Sequence, residues 1–370
     1  MTGAADQVIA KIVQTPHHRP SEAEIAVLLA TDPRSLPMEK VLAMHFSRAG
    51  DFTNALAHGR EIFRRERSSE NAMSLAVMLR RLGRVREAIR FAGENADVFD
   101  PVVLAETLCM MHGVLGETAN AVRHGTEALR LKDAGVPSAP PLVPMVGSFD
   151  PSRPERNVIS FSLWGGDRRY LDGARTNAIV ARYLYPGWTP RFHIDASVPE
   201  DVREGLIAEG AEVVDAPAEW PAERFGLFWR FLVEDDPGVD VYLVRDADSV
   251  VNIRECAAVE DWLGSGRAFH VMRDLPTHAE LILAGMWGAR RGNLPGMRAR
   301  VEAFLAGQTG RMGIRMADQL FLRREIWPVV RQHVLVHDAF FGFGEVSRFR
   351  REFELPGNRH VGQNDWIHRK

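Results

Sequence analysis

The chain has 370 residues, 45% of them hydrophobic and 26% charged, which excludes a disordered or fibrous protein and leaves length for two domains with cores of their own. A formal net charge of −3 gives no general pull toward nucleic acid or anionic lipid, so no nucleic-acid partner is expected. The stretch from Met1 to Lys11 lacks the basic-then-apolar order of a leader, no run approaches the ~18 apolar residues of a transmembrane segment, and Cys109 and Cys256 lie in unrelated segments, so a cytoplasmic, reduced protein is expected.

Small residues recur with a fixed period in the first third. Gly50, Gly83 and Gly116 are 33 positions apart, each is followed five residues later by Ala55, Ala88 or Ala121, and each is preceded by Ala43, Ala76 or Cys109. The glycine is expected to end one helix, and the small residues to let an antiparallel partner approach closely. This pattern resembles the tetratricopeptide repeat, as three units within an α-helical domain over residues 1–133, with 22–29 adding a further helix. The resemblance implies a protein or peptide partner, or a second copy of the chain, on the repeat surface. A plain helical cap on the following domain is the alternative.

Residues 134–156 hold six prolines, Pro137, Pro140, Pro141, Pro144, Pro151 and Pro154, too many for a regular element and suited to a linker or a wrapping segment. From 157 to 370 strands and helices alternate. Strands are expected at 158–163, 191–194, 212–214, 239–244, 269–272, 282–286 and 334–336, with helices at 170–183, 199–209, 225–233, 252–263, 297–305 and 318–326. That order predicts an α/β fold, a mixed, mostly parallel sheet flanked by helices.

The apolar run Val239, Val241, Tyr242, Leu243 and Val244 ends in Arg245-Asp246-Ala247-Asp248. In an extended segment Asp246 and Asp248 point to one side, at the strand end where ligands of open α/β sheets collect, and together suit a hard divalent cation. A turn in which both aspartates only bond backbone amides is the competing reading. The chain has no G-x-G-x-x-G after its first strand, no lysine loop of the P-loop type and no G-x-S-x-G, which argues against dinucleotide oxidoreductases, P-loop hydrolases and serine hydrolases.

This arrangement resembles the nucleotide-sugar glycosyltransferases of GT-A fold, and its downstream stretches resemble the retaining branch that includes glycogenin and the lipopolysaccharide galactosyltransferases. The resemblance implies transfer of a sugar from a nucleotide diphosphate, UDP favoured over GDP, to a glycan or protein acceptor. It implies Mn2+ or Mg2+ on Asp246, Asp248 and His337, with His270 and His278 as rival ligands. Asp318 and Gln319 match the family's Asp-Gln helix start and are expected beneath the sugar. Ala284, Gly285 and Trp287 fall in the stretch similar to the sugar-binding turn. Phe161 and Ser162 in the first strand, and Arg168, Tyr170, Arg175 and Asn177 just after it, are expected to meet the nucleotide, and Arg175 or Arg230 is expected on the diphosphate. The family's second aspartate is Leu320 here, and no glycine follows His337 as expected. Retention is favoured, with stabilisation of an oxocarbenium-like centre; for inversion Asp318 would be the base. A scaffold that has lost turnover, and a sugar nucleotidyltransferase, are the alternatives.

Overall fold

The computed structural model describes residues 3–14, 19–145, 147–308, 316–357 and 359–364, and the chain divides into two compact units, 1–131 and 132–370. The tail beyond 364, left unassigned from sequence, lies outside the described residues.

The first unit is helical: α1 Ala4–Gln14, α2 Glu22–Ala30, α3 Leu36–Arg48, α4 Phe52–Arg65, α5 Ser69–Arg81, α6 Val85–Glu94, α7 Pro101–Val114 and α8 Thr118–Ala134, the last running three residues into the second unit. The 33-residue period is the period of the pairs α3–α4, α5–α6 and α7–α8. Gly50, Gly83 and Gly116 take φ of +79°, +74° and +71°, and after each the next amide bonds back across the helix end: Asp51 to Phe46, Arg84 to Leu79 and Glu117 to His112, each 2.9 Å. A left-handed residue at that point closes the helix, and glycine adopts it without the Cβ penalty. Ala55, Ala76, Ala88 and Ala121 are wholly buried, and Ala76 and Ala88 share one apolar cluster with Leu56, Phe63, Leu75 and Leu79. The unit is an all-α array of the tetratricopeptide-like kind.

In the second unit, residues 135–145 and 147–153 form no regular element. This proline-rich run is nevertheless bonded to the α/β unit: Leu142 N donates to Gln332 Oε1, and Met145 exchanges two 2.8 Å bonds with Asn293. Then follow β1 Asn157–Leu163, α9 Arg168–Leu184, β2 Thr189–Ile194, α10 Glu200–Ala208, β3 Glu212–Asp215, α11 Ala222–Phe225, a 3-10 segment Gly226–Asp235, β4 Val241–Arg245 and α12 Ile253–Ser265. The remainder is β5 Phe269–Arg273, β6 Met286–Arg290, α13 Met297–Ala306, α14 Ala317–Phe321, a π-helical turn Leu322–Ile326, α15 Trp327–Val330, β7 Val334–Asp338 and β8 Val346–Ser347.

The strands form one eight-stranded sheet in the order β3-β2-β1-β4-β6-β5-β7-β8, in which β6 runs antiparallel to both neighbours and the other pairs are parallel. The expected α/β class, a mixed and mostly parallel sheet with helices, is what the chain adopts. Side-chain alternation sorts the two faces. Ile159, Phe161 and Leu163 of β1 and Val241 and Leu243 of β4 join α9 and α12 in one core, with Trp262. Ser160 and Ser162 point the other way, where their hydroxyls meet the 3-10 segment: Ser160 Oγ donates to Arg230 O at 2.8 Å and Ser162 Oγ accepts from Arg230 N at 2.9 Å. Two serines in a buried strand thus fix the backbone of one arginine.

Three elements depart from expectation. The strand expected at 282–286 lies at Met286–Arg290, because Trp287 pairs opposite Val244 and Gly288 fits over Tyr242 O, 2.8 Å from where a Cβ would stand. The helix expected at 225–233 is mostly 3-10. The helix expected at 318–326 widens into a π-helical turn before Pro328, whose ring would collide with the carbonyl four residues earlier in a regular helix.

Candidate functional site

At the carboxyl ends of β1 and β4 a cavity of about 750 Å³ is lined by residues from the β1–α9 turn, the 3-10 segment, the β4 end and the 362–364 segment. Asp246 and Asp248 both line it, but in a turn rather than along an extended strand: Ser249 N donates to Asp246 O at 3.1 Å.

Each carboxylate has its own arginine. Arg230 donates to Asp246 Oδ1, to Arg245 O at 3.1 Å and, through Nη2, to Asp318 Oδ2 at 3.0 Å. Its side chain is 4% exposed, against 46% for that of Asp246. Burial alone would lower the pKa of this guanidinium, but Asp246 and Asp318 outweigh it and hold the group charged, its pKa above the ordinary arginine value. Arg169, the second residue of α9, donates to Asp248 Oδ2 through Nε at 2.7 Å and also through Nη2; Asn364 Nδ2 reaches the same oxygen at 2.9 Å. Burial, then the charge of Asp246, raises the Asp248 pKa, with Arg169 opposing. Asp318 is raised by burial, with Arg230 opposing and Asp246 reinforcing.

The acidic turn is held from beneath by α9. Gly173 approaches so closely that a Cβ would stand 2.3 Å from Ala247 O. One turn on, Asn177 donates to Ala247 O and Ser249 O at 3.2 and 3.0 Å and accepts from Val251 N at 3.0 Å. Opposite, a Cβ on Gly285 would fall 2.1 Å from Asp246 Oδ2, so only glycine leaves this carboxylate its place.

Several expected residues do not meet at the cavity. His337 lies on the opposite face of the sheet: its Nδ1 is 2.9 Å from His270 Nε2, its Nε2 is 3.5 Å from Asp261 on α12, and His270 stacks on Trp262. Side-chain parity decides this, since Asp246 follows Tyr242 and Val244 onto the Arg230 face. His278 packs on His360 instead. Among the described residues no group of three or more His, Cys, Asp or Glu forms a metal cluster. Arg175 pairs with Asp201 on α10, and Arg168 lies in solvent near Asp172. Phe161 is a core ring stacked on Phe192, and Trp287 is buried against Phe231 and Tyr242. Asn177 is wholly buried and braces the turn rather than facing a nucleotide.

Ser162, Tyr170 and Arg230 do line the cavity. Asp318 sits behind Arg230, 4% exposed, and its Oδ1 accepts from Gln319 N. With its amide turned so that both ends are satisfied, Gln319 clamps the turn before Gly285, its nitrogen 2.8 Å from Ile282 O and its oxygen 2.9 Å from Ala284 N. Both therefore hold neighbours of the cavity in place. Sequence reasoning missed Arg169, one position from Arg168, and Gly362 and Asn364 in the tail; Asn364 also bridges to Ser249.

Asp246 and Asp248 share one cavity wall, and among the described residues no further His, Cys, Asp or Glu joins them as a metal cluster, so a Mg2+ or Mn2+ ion held there would complete its shell with water and substrate phosphate oxygens.

No protein-family model and no curated protein matches the chain. Among solved structures it is similar to a mutant of the Thermobaculum terrenum O-GlcNAc transferase, at 13% identity and TM-score 0.41, over 66% of this chain and 47% of that one, so it spans about half of that protein. It is also similar to glucosyl-3-phosphoglycerate synthase of Mycobacterium tuberculosis, at 16% identity and TM-score 0.29, over 60% and 76%. A MamA mutant matches at 18% identity and TM-score 0.29, over 35% of this chain and 75% of that one. Likenesses this distant do not assign an activity, which rests on the site itself.

Proposed function

We propose that the α/β unit is a metal-assisted glycosyltransferase that takes a sugar from a nucleotide diphosphate, with UDP preferred to GDP, and passes it to a hydroxyl of a glycan or polypeptide acceptor. The observation that carries this reading is the convergence of two aspartates and two arginines, Asp246, Asp248, Arg230 and Arg169, on one cavity at the carboxyl ends of the central strands. A nucleoside diphosphate leaves with growing negative charge, and positive charge lining the cavity lowers the energy of that departure.

A bound Mn2+ or Mg2+, held by Asp246 and Asp248, would add Lewis-acid neutralisation of the diphosphate. Arg230 pairs with Asp246 and aims it, with its own backbone locked by Ser160 and Ser162. Tyr170 and Trp164 give the cavity two aromatic walls beside Asp248 and Arg230. The position of Asp318 favours retention over inversion: it is buried and bonded to Arg230, poorly placed to take a proton from an acceptor. Of the carboxylates lining the cavity, Asp167 is committed to capping α9 through Arg169 N at 2.9 Å. The helical unit would recruit a protein partner or a second copy of the chain, and no described helix is long and apolar enough to cross a membrane.

Calorimetric titration with UDP and GDP, with and without Mn2+, tests this. We expect metal-dependent binding of one nucleotide by the wild-type chain and none by the double variant Asp246→Ala, Asp248→Ala. A folded wild-type chain that binds neither nucleotide overturns the proposal.

A further inference from the structure

Building on the donor-site reading above, we propose that Arg169 is the counter-ion that a divalent cation displaces from Asp248, and that the released guanidinium then grips a phosphate of the donor.

The two cavity arginines are held very differently. Arg230 is tied at its backbone to Ser160 and Ser162 and at its guanidinium to Asp246, Asp318 and Arg245 O, and moving it would strand two carboxylates, one of them deeply buried. Arg169 stands on the first turn of α9 with its side chain 36% exposed, its guanidinium over the ring of Tyr170 at 5.0 Å and against Asp248. With part of its stem already in water, it is the less enclosed of the pair.

Among the described residues, the side chains that donate to Asp248 converge on one oxygen. Arg169 Nε, Arg169 Nη2 and Asn364 Nδ2 all donate to Oδ2. A carboxylate oxygen offers about two lone-pair directions, so three donors saturate it. A cation drawing on Asp248 together with Asp246 meets a guanidinium already in place, and two positive charges on one carboxylate repel. The cation therefore competes with Arg169. Once displaced, Arg169 remains on the wall of the same cavity, and its planar fork suits a phosphate. Arg169 is then an antagonist of the cation alone and a helper of cation and nucleotide together. A residue that merely props up Asp248 would give one sign for both ligands; exchange gives opposite signs.

The test uses the full chain and the variants Arg169→Met and Arg169→Lys, with circular dichroism to show that each is folded. Free Mn2+ is read by electron paramagnetic resonance without nucleotide, and UDP and GDP are titrated calorimetrically at saturating Mn2+. In Arg169→Met, Mn2+ alone should bind roughly tenfold more tightly and the nucleotide roughly tenfold more weakly, the scale of one charge-assisted hydrogen bond lost or relieved. Arg169→Lys, which keeps the charge without the fork, should fall between. Loss of affinity for both ligands, or unchanged Mn2+ affinity, overturns the exchange. If the wild-type chain binds Mn2+ but neither nucleotide, the donor-site reading falls on that arm, and tighter Mn2+ binding by Arg169→Met still upholds displacement at Asp248.

Discussion

On the helical repeat, Arg64 and Arg84 reach one turn along the chain to Glu61 and Glu87 in open contact with water, whereas Arg230 of the α/β unit is enclosed between Asp246 and Asp318. Exposed pairs of the first kind contribute little to stability, because water already satisfies both partners. Enclosed pairs cost desolvation to form and more to break. The repeat's packing rests largely on small apolar residues, with Ala55, Ala76, Ala88 and Ala121 wholly buried, although Glu39 is also buried there between Arg34 and His58. What shapes the cavity is charge kept out of water, maintained by specific partners for chemistry rather than for stability.

Removing Arg230 should break the contrast most severely. Arg230→Met leaves Asp318 buried beside a half-exposed Asp246 with no cation between them, and a loss of about 3–5 kcal/mol in urea unfolding is expected. A loss below about 1 kcal/mol would show that this cluster is solvated.

Glu234 sharpens the same point through pH. It accepts from Gly292 N and Leu294 N at 2.9 and 2.8 Å, and burial raises its pKa from 4.5 to about 7. The folded state therefore holds this proton more tightly than the unfolded chain. The stability it contributes is complete below pH 4.5, declines as pH rises and is gone above about pH 7, roughly 3 kcal/mol over that window. Urea midpoints measured from pH 4.5 to 7.5 should fall along that slope in the wild-type chain, and Glu234→Gln should flatten it. Parallel slopes would assign the pH dependence to other groups.

The smallest expected effect belongs to the repeat. Ala88→Leu forces a larger side chain into the α5–α6 packing and should cost about 1–3 kcal/mol, read as a lower Tm of the helical transition. An unchanged Tm would mean that α6 shifts freely to make room.

Much of the architecture was legible because its signals are periodic and local. Glycine every 33 residues phased the repeat, and alternating apolar strands and helices gave the sheet class. The turn holding Asp246 and Asp248 stood out by its position after an apolar run. The site's wiring was less legible. Arg168 and Arg169 are adjacent, but neighbouring helix positions differ by about 100° of rotation, which sends one to solvent and the other to Asp248. Arg175, nearly two turns on, ends on Asp201. His337 shows the same limit for strands: within β7 its parity is readable, but which parity shares a face with Asp246 depends on strand pairing across β6 and β5.

The sequence by itself determined the helix ends at Gly50, Gly83 and Gly116, most strands and helices of the second unit, and the clustering of two aspartates beyond β4, since each depends on residues a few positions apart. Tertiary structure alone decided that Arg169 meets Asp248 79 positions away, that Arg230 joins Asp246 to Asp318 88 positions away, and that His337 faces α12. Contacts over such spans depend on how the strands stack and which way each helix turns, and no local pattern encodes that choice.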